Sequence, residues 1–221
     1  MEDNPHPGFV AYDSAMRVGF LIKSLAGEAS DGPVLDVCCS KAPFYPYLAD
    51  RGFDGRVYGV DMLIHQLKIA RDRGVKAAQG NVLALPYADK YFSAAIFTDA
   101  LVHLMKAEDR GNAIAEIARV IRPGGVLAMT TTNRSCRMPY RWRTGYDPAT
   151  SDYCYYIPKS EVRDLIAPYF TVEAAWPFGF YYLLPSAAQY RRGIAVAFDR
   201  IMANPLTSWM GMVTFYKLRR K

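Results

Sequence analysis

Two short apolar runs near the start of this 221-residue chain each close on an aspartate. Asp36 follows Pro33-Val34-Leu35, Asp61 follows Val57-Tyr58-Gly59-Val60, and Gly80-Asn81 ends a third run in the same way. Polar groups at the carboxyl ends of successive strands point to an open α/β sheet, the architecture in which ligands gather outside the strand ends. Three such ends in a row outline a site the size of a nucleoside.

The remaining pattern alternates helix and strand, as a mostly parallel sheet covered on both faces requires. Residues 12–29 place Val18, Leu21, Ile22 and Leu25 at helical spacing, and 44–51 form the helix after the first strand. Strand 56–60 leads into helix 63–73, whose buried stripe is Leu63, Leu67 and Ala70; strand 76–79 follows. The unbroken apolar run 94–98 suits a central strand. Helix 107–121 is amphipathic through Ala113, Ile114, Ile117, Ala118 and Ile121, and Pro123-Gly124-Gly125 stops it and turns the chain into strand 126–130.

With 51% apolar residues and no Gly/Ser or Pro-rich linker, residues 1–221 are expected to form one domain. No apolar run approaches the length of a membrane span and the Met1-Glu2-Asp3 start has no basic leader, so a cytoplasmic location is expected. Cys38 and Cys39 are adjacent, and Cys136 and Cys154 are isolated; this is neither a metal-ligand spacing nor a disulfide framework. All four are expected to be free thiols, with no metal bound.

The ordered set Val34-Leu35-Asp36-Val37, Gly59-Val60-Asp61, Gly80 to Tyr87, Tyr91-Phe92 and Arg122-Pro123-Gly124-Gly125 resembles the class I S-adenosylmethionine-dependent methyltransferases. The similarity is to their small-molecule branch, which includes quinone-biosynthesis enzymes. It is tight up to Thr132 and loose beyond. The resemblance implies a Rossmann-like sheet of seven strands with the last one antiparallel, in which 170–176 and 212–218 are strands six and seven and 189–202 is the connecting helix. S-adenosylmethionine is the implied cofactor.

Each expected cofactor contact has a physical basis. The Asp61 carboxylate can accept hydrogen bonds from both ribose hydroxyls. The Asn81 amide can meet an adenine edge, with Val82 and Met62 sandwiching the ring. Asp36 stands where the family's acidic residue organises the loop near the ligand's amino group, and Thr98 ends the fourth strand beside it. The loop 37–42 departs from the family pattern, because Cys38, Ser40 and Ala42 occupy positions usually held by glycine. The Cys38 side chain would project towards the cofactor, and Lys41 is placed to pair with the methionyl carboxylate. Alternatively the loop holds the cofactor in another pose, and the chain has turned to a different use of the sulfonium or to none.

For the acceptor, Asp99 and His103 follow strand four; His103 can serve as a base or pack against the cofactor loop, and Tyr12 can donate a hydrogen bond from the N-terminal segment. Aromatic and cationic residues crowd the later loops. Asn133, Arg134, Tyr140, Arg141, Trp142, Tyr156 and Trp176 are the candidates for contacting a small aromatic or anionic substrate. Segments 1–15, 133–158 and 176–190 are expected to cover the acceptor opening. Methyl transfer is the expected reaction; cyclisation or cleavage of the aminobutyryl part of the cofactor, or a retired catalytic fold, are the alternatives.

A pyrophosphate-cradling glycine turn is missing after strand one, which disfavours a nucleotide-dependent oxidoreductase. Asp99-Ala100-Leu101-Val102 likewise lacks the Asn/Asp-Pro-Pro-aromatic run of nucleic-acid amino-methyltransferases. A net charge of +6 and the closing Lys217-Leu218-Arg219-Arg220-Lys221 permit RNA or an anionic membrane surface as partner, but no separate binding module supports nucleic acid. A homodimer is left open.

Overall fold

The computed structural model describes residues 7–26, 32–133, 144–147, 152–184, 192–204, 206–207 and 210–221. Its main sheet runs β3-β2-β1-β4-β5-β9-β8. The strands are β1 (Val34–Val37), β2 (Val57–Asp61), β3 (Lys76–Gln79), β4 (Phe92–Phe97), β5 (Ile121–Thr132), β8 (Phe170–Phe178) and β9 (Val213–Arg220). β1 pairs in parallel with both β2 and β4, whereas β9 is antiparallel to β5 and β8. This is the expected seven-stranded sheet with its last strand reversed.

Six helices are seen among the described residues: α1 (Pro7–Leu25), α2 (Tyr45–Leu48), α3 (Ile64–Asp72), α4 (Ala107–Val120), α5 (Lys159–Ile166) and α6 (Arg192–Met202). β1 and β4 are buried along their whole length, so alternate residues feed two cores. Leu35, Val37, Phe97 and Met129 join Ile114 and Ile117 of α4 and Val162 of α5 on one face. Val34, Ile96, Ala128 and Phe215 join Phe20 and Leu21 of α1 and Ala195 of α6 on the other.

Sequence periodicity placed α3, α4 and β3 well, and the differences elsewhere are informative. β5 starts directly at Ile121, because Pro123-Gly124-Gly125 is a bulge between the pairs Phe92↔Ile121 and Ala94↔Val126 rather than a loop before the strand. The region after β5 is not wholly irregular: β6 (Thr144–Asp147) and β7 (Asp152–Tyr155) form an antiparallel hairpin. The closing basic run is spent internally. Lys217 and Arg219 both pair with Glu173, at 3.1 and 2.6 Å, and Arg220 donates to the carbonyls of Ala118 and Tyr169 at 2.9 and 3.1 Å.

Candidate active site

The strand order reverses between β1 and β4, and that is where an open sheet leaves a crevice. A cavity of about 200 Å³ lies there, lined by Asp36, Cys38, Ser40, Phe44, Thr98 and Asp99 among others. Four of the expected residues, Asp36, Cys38, Thr98 and Asp99, thus converge on one space, together with Ser40 of the loop after β1. Lys41 does not: its side chain is exposed and outside the lining.

The loop after β1 follows a glycine-type path without a glycine. Cys38, Ser40 and Ala42 are all left-handed, with φ of 57°, 50° and 51°. Each such residue costs on the order of 1 kcal/mol or more, so the surroundings must impose the shape. Ser40 N–H donates to Asp61 Oδ2 at 2.9 Å, and Cys39 N–H donates to the Val60 carbonyl at 3.0 Å. Arg73 donates to the carbonyls of Lys41 and Ala42 at 2.9 and 3.2 Å. Cys39 Sγ packs against Gly59, where a Cβ would lie only 2.7 Å from the sulfur, so β2 needs its glycine here. Ser40→Gly is expected to stabilise the protein by roughly 0.5–1 kcal/mol, because it relieves the left-handed Cβ and gives up only a long contact to Gln66. Urea unfolding with an unchanged m-value checks this.

Asp36 is 4% exposed. Burial, and then the charge of Asp61, push its carboxyl up to about 7, and no described cation or hydrogen-bond donor counters them. The same two causes in the same order, with Asp36 adding to them, raise the Cys38 thiol to about 12. Cys39 is also pushed upward by burial and both carboxylates. Burial and the two carboxylates thus disfavour the thiolate, the form in which a cysteine acts as a nucleophile.

Asp61 has two structural partners. Oδ2 holds Ser40 N–H, and Oδ1 accepts Leu63 N–H at 2.9 Å just ahead of α3. The carboxylate therefore ties the cavity loop to the start of a helix, and each oxygen keeps a lone pair for a hydroxyl. Asn81 is exposed; its Oδ1 accepts Leu83 N–H at 3.0 Å in a tight turn, which leaves its NH2 and the second lone pair of Oδ1 for a ligand. Glu116 and Arg119 of α4 fix the following segment through Leu85 N–H at 2.9 Å and the Leu85 and Tyr87 carbonyls at 3.1 and 2.9 Å. Of the expected ring-sandwiching pair, Met62 is 62% exposed while Val82 is buried in the core.

Asp99 also has a left-handed backbone, with φ of 55°. Its N–H donates to Thr130 Oγ1 at 3.0 Å, Thr130 Oγ1 donates back to Oδ1 at 3.1 Å, and its other oxygen pairs with the Arg17 guanidinium of α1. Arg17 was missed by the sequence reading. The available signal was a charge one turn before Leu21, on a face that proves buried.

His103 is not part of the cavity lining; it ends a short helical turn, and its Nδ1 is 3.8 Å from Cys154 Sγ in β7. Asn133 is fully buried and links strands: its Oδ1 accepts from Thr131 Oγ1 at 2.9 Å and its Nδ2 donates to Thr214 Oγ1 at 2.6 Å. Both the oxygen and the NH2 of its amide are thus engaged between β5 and β9. Tyr156 packs on the α4 face and Trp176 on the α1 face, so these two are not brought together. Arg134, Tyr140, Arg141 and Trp142 lie outside the described residues, as does the side chain of Tyr12 in α1.

Residues 35–129 match the family model of a methyltransferase domain. This stretch is similar to methyltransferase domains. It contains β1 to β5 almost entirely, and hence every residue of the cavity lining named above. An O-methyltransferase of Aspergillus nomiae is 32% identical over 121 residues, which cover 51% of this chain and 50% of that one. A demethylmenaquinone methyltransferase of Listeria welshimeri is 31% identical over 109 residues, covering 46% and 45%. The matched part thus spans about half the length of these relatives. The solved structure of an S-adenosylmethionine-dependent methyltransferase from Methanosarcina mazei superposes with a TM-score of 0.65 at 18% identity, over 91% of this chain and 96% of that one. The likeness of fold extends beyond the matched stretch to nearly the whole chain. Among the described residues, no helix is long and apolar enough to cross a membrane.

Proposed function

We propose that this chain is an S-adenosylmethionine-dependent methyltransferase acting on a small aromatic or anionic molecule. The observation that carries this reading is Asp36, a buried carboxylate without a described counter-charge, facing a cavity at the switch point beside the clamped carboxylate of Asp61. An uncompensated buried acid suits a ligand that brings its own cation. Asp36 would take the methionyl ammonium, Asp61 the ribose hydroxyls, and the Asn81 NH2 and Met62 the adenine. Arg17, paired with the cavity-lining Asp99, is better placed than Lys41 for the methionyl carboxylate.

The cofactor supplies an electrophilic methyl on a sulfonium. With it bound, the acceptor atom would contribute the electron pair of the new bond, the pair of the broken S–C bond would stay on sulfur, and the acceptor would give up a proton. The chain's own part is placement and exclusion of water. Calorimetry should show saturable binding of S-adenosylmethionine and S-adenosylhomocysteine, and labelled cofactor with a metabolite extract should yield products heavier by one methyl. No binding at millimolar ligand would sink the reading. Label appearing only in a cleaved or cyclised aminobutyryl fragment would replace methyl transfer with the other use of the sulfonium.

A further inference from the structure

The three left-handed residues of the loop after β1 are each held by a bond to their own backbone. A peptide unit is rigid and planar, so an N–H points where φ of its own residue and ψ of the one before direct it, and a carbonyl follows ψ of its own residue and φ of the next. The Ser40 N–H on Asp61 therefore restrains φ of Ser40, and the Cys39 N–H on the Val60 carbonyl restrains ψ of Cys38. At Ala42 the holder is Arg73, at the end of α3. One nitrogen, Nη1, donates to the Lys41 carbonyl at 2.9 Å and to the Ala42 carbonyl at 3.2 Å. The first carbonyl follows φ of Ala42 and the second follows ψ, so a single guanidinium restrains both rotations.

Arg73 is exposed, and it borders an open cleft of about 520 Å³ with Tyr45, Asp54 and Gly74, so shortening its side chain leaves no void in the core. Its starting point is nevertheless rigid. Gly74 is left-handed, with φ of 102°, and a Cβ there would lie 2.7 Å from the Tyr45 hydroxyl, which itself donates to Asp54 at 2.6 Å. The turn after α3 is thereby seated on the first residue of α2 and on the segment before β2. Helix α3 is tied to the loop at both ends, through Asp61 and Leu63 at its start and through Arg73 at its finish.

We propose that Arg73 is a positioning residue for the cofactor: from outside the cavity lining it keeps the glycine-free loop in the shape that binds, and so raises affinity without touching the ligand. This rests on the S-adenosylmethionine reading above. Ala42 stands between Ser40 on one side and Pro43 and Phe44 on the other, all three in the lining, so a change of its backbone region redirects both walls. An alanine left to itself favours the right-handed region by roughly tenfold or more in population, whereas glycine has no such preference. Apparent affinity falls in proportion to the competent fraction. Arg73 thus supplies by hydrogen bonding what a glycine supplies by lacking a Cβ.

Calorimetric titration of the full chain with S-adenosylmethionine and S-adenosylhomocysteine tests this. Arg73→Met should weaken both ligands about tenfold, and Arg73→Lys, which keeps three donors on one nitrogen, by no more than about threefold. In an Ala42→Gly background, Arg73→Met should cost no more than about threefold, since glycine takes the left-handed shape unaided. Arg71→Met is the control. It removes an equal charge from the same end of α3, but Arg71 donates to the Ala77 carbonyl of β3 at 2.9 Å and not to the loop, so affinity should stay within about twofold. Thermal unfolding confirms that each variant is folded. Equal loss from Arg73→Met in both backgrounds overturns the positioning role, because a general effect on fold or charge does not depend on residue 42. Unchanged affinity in Arg73→Met, or an equal loss in Arg71→Met, overturns it too. In each of these cases wild-type binding leaves the cofactor reading standing, whereas a wild type that binds neither ligand at millimolar concentration overturns that reading and the role of Arg73 with it.

Discussion

Asp36→Asn is expected to weaken S-adenosylmethionine binding between tenfold and a hundredfold, the range for losing a hydrogen bond to a charged group, and at the same time to make the free protein more stable above neutral pH. Both effects come from one carboxylate. Its folded-state value of about 7 lies above the ordinary range because burial and Asp61 disfavour the charge. A folded value raised above the unfolded one means that the native state binds the proton more tightly. The associated stability is complete below about pH 4 and is lost as pH rises through 7, amounting to something on the order of 2–4 kcal/mol. Asparagine removes that loss, so variant and wild type should have similar stabilities near pH 4 and diverge by pH 8. Denaturant unfolding at the two pH values checks it; a constant difference would refute the assignment.

Ligand binding by the wild type should run the opposite way. A cationic ammonium prefers the ionised carboxylate, whose population in the free protein rises about tenfold between pH 6 and pH 8 for a group titrating near 7. Affinity should therefore rise about tenfold over that interval, with proton release on binding at pH 6.5, and Asp36→Asn should flatten the profile. An acid kept uncompensated at a stability cost is what a binding site, rather than a core, requires.

Asp61→Ala should be more damaging than loss of ribose contacts alone, because the carboxylate also anchors Ser40 N–H and Leu63 N–H. Removing both acceptors leaves three consecutive alternate left-handed residues, Cys38, Ser40 and Ala42, without their main restraint. A stability loss of about 2 kcal/mol is expected, together with at least about a hundredfold weaker cofactor binding. Asp61→Asn retains one carbonyl acceptor and should recover part of the stability and little of the affinity. Adding Ser40→Gly to Asp61→Ala should restore stability more than it does in the wild type, since the loop then no longer needs to be forced into shape. Simple additivity of the two changes would show that the clamp and the strain are independent.

Much of the scaffold could be read from residue order because its causes are local. Alternating burial periods delimit β3, α3 and α4 to within a residue or two, and polar residues at the ends of β1, β2 and β3 mark the ligand edge, since an apolar strand can end in a carboxylate only where something polar awaits it. The glycine positions of the cavity loop were also legible, although the residues there are Cys38, Ser40 and Ala42. What the order of residues left open was how long-range neighbours use each side chain. Arg17 and Asp99 are 82 residues apart, His103 and Cys154 51 apart, and Asn133 and Thr214 81 apart. Those pairings turned Asp99 into one half of an ion pair, set His103 against a hairpin and spent Asn133 between strands. Tertiary structure likewise separated Tyr156 from Trp176 onto opposite faces, and it left Lys41 outside the cavity while pairing the cavity-lining Asp99 with Arg17, from a helix before the first strand. Propensity and period act over a few residues, whereas a charge finds its partner only after the sheet has closed.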